Sequence, residues 1–173
     1  MWLDKNHTQT EGIWLRIFKK DSGRATVTYA EALDQALCYG WIDGLKKSCD
    51  ELSWIQKFTP RRSRSQWSHL NTQHVARLTQ TGLMMPAGIA AVEAAKADGR
   101  WQAAYASSKN AAPPEDFLVA LTKDKKAKAF FESLNKANVY AIGYRLQTAK
   151  KPETRARRLK NILAMMSRGE KFH

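Results

Sequence analysis

Hydrophobic spacing along this chain switches between a period of two and a helical period up to about residue 68, and is helical from there on. Over residues 12–20, Ile13, Leu15 and Ile17 alternate with Trp14, Arg16 and Phe18, a period of two that predicts a strand with both faces partly covered. Asp21-Ser22-Gly23 predicts a turn, with Thr26 and Val27 briefly extended beyond it. Thr28 followed three residues later by Glu31 is the spacing of a capping box. The helix it opens presents Leu33, Ala36 and Leu37 to a core and stops where Gly40 takes the left-handed conformation. Residues 42–48 and 52–59 then read as a pair of strands around Cys49-Asp50-Glu51. Beyond residue 68 only helical spacing remains.

The first of these later helices is expected over 72–81, capped by Asn71 and closed by Gly82. A second starts at Pro86, a residue suited to a first helical position, and carries Ile89, Val92 and Ala95 inward as far as Gly99. Residues 106–114 are small, polar and proline-ended, and read as a linker. Helices over 114–122, 124–134 and 136–147 follow, with Phe117, Leu121, Phe130, Phe131, Leu134, Val139, Ile142 and Leu146 as their apolar set. A last helix from Pro152 to Gly169 would bury Ala156, Leu159, Ile162, Leu163 and Met166. The expected class is α+β: a small antiparallel sheet with helices over 1–109, and an all-helical part over 110–173.

Charge is the compositional fact that bears on function. The chain has 29 Lys and Arg against 16 Asp and Glu, a formal net charge of +13. Such a field favours anionic partners, whether nucleic acid, lipid head groups or acidic proteins. Two cysteines, Cys38 and Cys49, make no disulfide framework and lack zinc-site spacing, so free thiols in a reducing cytoplasm are expected. Charges interrupt the first residues where a signal peptide needs an apolar run. No stretch approaches the roughly 20 apolar residues of a membrane span.

The most unusual local stretch is 58–68, where Arg61, Arg62 and Arg64 lie between Phe58 and Trp67, with no acidic residue anywhere over 52–92. Guanidinium groups fit carboxylate or phosphate, and indole rings offer flat apolar faces. With the glycine-flanked turn at Trp41 and Asp43, and with Lys46, this composes a candidate site for a small anionic ligand: Trp41, Asp43, Lys46, Phe58, Arg61, Arg62 and Trp67. The same residues have plainer uses. Arg61 or Arg62 would pair with Asp43 or Glu51, Trp41 would fill core, and Asp43 would cap a turn.

Elsewhere the chemistry is sparser. Cys38 has the place of a buried helical thiol rather than a nucleophile. His69 and His74 have no sequence-near carboxylate, and their spacing puts them on different helix faces. From Arg145 onward nine basic residues face two acidic ones. Among them Lys150, Lys151, Arg155, Arg157, Arg158 and Lys160 would either track a phosphate backbone or form a solvated face. Phosphate loops, nucleophile elbows and His-Glu-x-x-His are absent, so no catalytic residue, cofactor or metal is expected.

Three blocks carry a resemblance. Residues 29–44 (YAEALDQALCYGWIDG), 58–62 (FTPRR) and 149–158 (AKKPETRARR) stand in the order seen in the YdeI/OmpD-associated, OmdA-like proteins, which the chain resembles over most of its length. The resemblance implies a bacterial protein whose relatives begin earlier, with a helix leading into Trp2-Leu3, and whose C-terminal module is helical. Its names refer to bacteriocin protection and to association with an outer-membrane porin, hence to a protein partner. They bring no catalytic residues. The expectation is a non-enzymatic binding or stress-protection protein with an anionic ligand, and its rival is nucleic-acid binding through the basic surface.

Overall fold

The computed structural model describes residues 2–105 and 112–172, so most of the expected linker at 106–114 lies outside the described residues. The chain forms two compact units, Met1–Ala104 and Tyr105–His173. The first is α+β and the second is helical.

The first unit runs α1 (Trp2–Asn6), β1 (Ile13–Phe18), a 3-10 turn (Lys20–Ser22), α2 (Tyr29–Cys38), β2 (Trp41–Ser48), β3 (Ser53–Pro60), α3 (His69–Gln80) and α4 (Pro86–Ala97). The hairpin strands β2 and β3 pair antiparallel, and β1 adds antiparallel to the free edge of β3, giving the order β1-β3-β2. Ile13 faces Phe58, Leu15 faces Gln56 and Ile17 faces Trp54. Because side chains alternate across a pleat, these residues share one face with Trp41 and Asp43. Trp14, Arg16 and Phe18 share the other face with Lys57, Ile55 and Lys47.

The first face is the interior one. Ile17 and Phe58 are buried there, and Leu33, Ala36 and Leu37 of α2 belong to the same core as Phe58. The capping box is formed: Thr28 Oγ1 accepts the Glu31 N–H, and the Glu31 carboxylate accepts the Thr28 N–H at 2.8 Å. Gly40 ends the helix at φ +74°, a conformation that costs glycine little.

Two expectations are corrected in this unit. The third helix begins three residues earlier than its apolar spacing indicates, because Ser68, not Asn71, is the cap: its hydroxyl accepts the Asn71 N–H at 3.1 Å. Ile89 stays 47% exposed, while Val92 and Ala95 on the same helix are buried. Gly88 explains the asymmetry. Its bare Cα lets α4 approach the carbonyl that ends α2, so contact is made on the Gly88 side.

The second unit is α5 (Glu115–Leu121), α6 (Lys125–Glu132), α7 (Lys136–Gln147) and α8 (Pro152–Ser167). Phe117, Leu121, Ala127, Ile142, Leu146, Ile162 and Met166 form its core. Asp124 caps α6 through the N–H groups of Lys126 and Ala127, and Asn135 caps α7. Gly169 closes the last helix at φ +71°. Ala156 was expected inside and is exposed. The first turns of α8 are held instead by Arg155, which donates to Asp116 of α5 at 2.9 Å, and by Arg158, which donates to the Arg145 carbonyl at 2.6 Å.

Candidate functional site

The chain leaves β3 at Pro60, and Arg61 is fixed at once. Its N–H donates to the Gly40 carbonyl at 3.0 Å, and Nη1 donates to the Gln66 carbonyl at 3.1 Å. Its guanidinium lies 3.5 Å from the centroid of Trp67. Trp67 is 1% exposed and packs against Trp101, centroids 4.9 Å apart. Arg100, also buried, closes the segment from the far side by donating to the Ser65 carbonyl at 3.1 Å while its Nε holds Asp98 at 2.6 Å. A desolvated cation over an indole contributes on the order of 2 kcal/mol. These contacts turn the loop inward. The Trp67 indole N–H finds no acceptor among the described residues, and nothing in the structure accounts for it.

The structure distributes the seven predicted site residues differently from the single pocket expected. Trp41, Phe58 and Trp67 are core side chains, 1–3% exposed, and rings so enclosed have no face left for a ligand. Trp41 donates its indole N–H to the His7 carbonyl at 2.8 Å and meets Trp2 edge-on. Asp43 accepts the Tyr29 hydroxyl at 2.8 Å, and burial together with that bond pushes the Tyr29 phenol up. Lys46 lies 4.1 Å above the Trp54 ring, against which Tyr29 also rests. Arg61 is half-buried. Lys46 is exposed, and so are Arg62 and, two residues on, Arg64.

The remaining candidates resolve simply. Cys38 is buried, and burial followed by the Asp34 carboxylate pushes its thiol up, away from the thiolate a nucleophile requires. No acid lies near the histidines in sequence, but the fold brings one to His74: its Nδ1 sits 3.2 Å from Asp34, which also takes Arg77 Nη2 at 2.7 Å, tying α2 to α3. Those partners lie some forty residues apart in sequence, beyond any local pattern. Among the described residues no group of three His, Cys, Asp or Glu could hold a metal ion, and no helix is long and apolar enough to cross a membrane.

Two surfaces remain chemically distinctive. One is the basic exterior of the helical unit. There Lys123, Lys125, Lys126, Lys150, Lys151, Arg157 and Lys160 are exposed, while Asp116, Glu132 and Glu170 are each in an ion pair within the unit. The other is the outer face of the sheet. Trp14 is 40% exposed there, with the ammonium groups of Lys47 and Lys57 4.9 and 5.6 Å from its ring centroid. The alternation places Trp14 with Arg16 and Phe18 on the side opposite Ile13, Leu15 and Ile17, in a strand expected to be partly covered on both faces.

Comparison with known proteins gives two family matches. Residues 1–91 match a domain of unknown function (DUF8412), and residues 110–169 match the domain described as bacteriocin-protection, YdeI or OmpD-associated. No curated protein and no solved structure matches the chain.

Proposed function

The chain belongs to the DUF8412 family and carries a YdeI/OmpD-associated module in its helical unit; from that premise we propose that it is a non-catalytic nucleic-acid-binding protein. The module's description speaks of protection and association and of no reaction, which a binding role satisfies.

The observation that carries the reading is the division of charge. Residues 105–173 hold 15 Lys and Arg against 6 Asp and Glu, and half of those acids are already in ion pairs inside the unit. The exposed cations at 123–126 and 150–160 therefore project a largely uncompensated field. A polyanion answers such a field better than a single small anion does, because every neutralised phosphate releases condensed counterions. The small-anion pocket first expected at Trp41, Phe58 and Trp67 is less well supported, since those rings are enclosed. A second reading keeps a small-anion site at Arg62 and Arg64 alone, favoured by their exposure in a stretch of forty-one residues, 52–92, without an acid.

Fluorescence anisotropy with labelled mixed-sequence DNA and RNA, at about 50 and about 200 mM salt, tests the proposal. Affinity should fall linearly on a log-log plot. The double variant Arg157→Gln/Lys160→Gln should reduce the slope by about two. Absence of binding at the lower salt, or a slope indifferent to those two residues, overturns it. Under the second reading Arg62→Ala/Arg64→Ala would abolish binding of inorganic phosphate and leave the slope alone.

A further inference from the structure

We propose that the outer face of the N-terminal sheet is a stacking platform for single-stranded nucleic acid, with Trp14 and Phe18 as the base-binding rings. This rests on the nucleic-acid reading above and adds to it a site and a class of ligand.

The face is built by strand geometry. On β1 the residues Trp14, Arg16 and Phe18 point the same way, and across the ladder they are joined by Lys57 opposite Trp14, by Ile55 opposite Arg16, and by Lys47 of β2 opposite Ile55. Both rings are flanked by two cations. Lys47 and Lys57 approach Trp14, and Arg16 and Arg24 approach Phe18 at 4.6 and 5.1 Å from its centroid. One carboxylate, Asp50, takes part, and it is held by Arg16 and Ser53. The result is a line of aromatic, cation, aromatic along one strand with further cations beside it. Burial does not explain Trp14, the largest side chain on the face, which keeps 40% of its surface in water.

Spacing selects the ligand. Same-side residues on a strand stand roughly 7 Å apart, so Trp14 and Phe18 are roughly 14 Å apart with Arg16 between them. Stacked nucleotides rise only about 3.4 Å each, and a duplex keeps its base faces inside the stack. Bases reach both rings only from a strand whose stack is opened, with backbone phosphate passing over Arg16 and the lysines. Aromatic faces accept any base, so the platform would be tolerant of sequence. An acidic protein or an anionic membrane would use the cations and leave the exposed Trp14 ring without a role.

The test uses the full chain, a labelled single-stranded 12-mer, the matching duplex, and heparin as a polyanion without bases. Trp14→Ala should weaken the single strand about tenfold, within the usual range for one lost base–aromatic stack. Trp14→Phe should restore most of it, and duplex and heparin binding should be unmoved by either change. Because Trp14 is substantially exposed, both variants should retain the parent's circular dichroism and melting temperature. If single strand, duplex and heparin all bind and Trp14→Ala alters none of them, the platform is refuted while the nucleic-acid reading stands. If none binds at low salt, both fall. Loss of heparin binding together with single-strand binding on Trp14→Ala would also refute the platform, as it would make the face a general polyanion surface.

Discussion

Arg61 and Arg62 are neighbours in sequence and opposites in use. Arg61 lies flat against a buried indole and donates to the Gln66 carbonyl, whereas the Arg62 side chain stands in solvent. Removing the first takes away a desolvated cation–π contact and frees a buried carbonyl, so Arg61→Ala should destabilise the fold by about 2–3 kcal/mol. Arg61→Lys should recover little, because an ammonium has neither the plane nor the fork. Arg62→Ala should stay within about 0.5 kcal/mol of the parent. Urea denaturation of the three variants gives the comparison, and equal effects at 61 and 62 would contradict the inward role of Arg61. The stretch was visible in the sequence as arginines between aromatics. Which arginine turns inward was not, because that depends on Trp101 and Arg100, supplied by a segment more than thirty residues away.

At the scale of elements, the close join of α2 and α4 sets two effects against each other at one residue. Gly88 lies inside a helix, where alanine would ordinarily gain about 1 kcal/mol. A Cβ there, however, would sit 2.1 Å from the Cys38 carbonyl oxygen and 2.7 Å from its carbon, both backbone atoms that cannot step aside. The Met85 N–H donates to that same oxygen at 3.1 Å, so moving α4 away would also break a hydrogen bond. Overpacking of this kind costs about 1–3 kcal/mol or more, and packing should win: Gly88→Ala lowers the thermal midpoint, and a raised midpoint would show the join to be loose. Elements such as these were largely legible, because the changes of period, the capping box at Thr28 and the prolines that open helices at Pro86 and Pro152 are local. The start of α3 was not, because Ser68 and Asn71 are both good caps and local sequence does not choose between them. The side of α4 that packs was hidden for the same reason, since a glycine contact leaves no apolar signal.

Over the whole molecule, charge governs how the fold answers acid. Several carboxylates among the described residues are held below their ordinary range. Hydrogen bonds come first in each case: to Asp50 from Ser53, to Glu31 from the Thr28 N–H, to Asp116 from Arg155, to Asp124 from Ser167 and to Glu170 from Arg168. A carboxylate whose folded pKa is depressed stabilises the fold at any pH above its unfolded value, here 3.8 for Asp and 4.5 for Glu. That contribution disappears as pH falls through the lower folded value. Protonation also removes the negative charge of the 16 acids that offset 29 Lys and Arg, so self-repulsion grows over the same interval. Both effects have one sign. Urea midpoints should therefore be level from pH 7 to about 5 and drop steeply below about 4, and added salt should recover part of the loss by screening the repulsion but not the lost hydrogen bonds. A midpoint that holds steady to pH 3 would mean that these carboxylates contribute nothing to the folded state, and that the excess of positive charge is spread too widely to strain it.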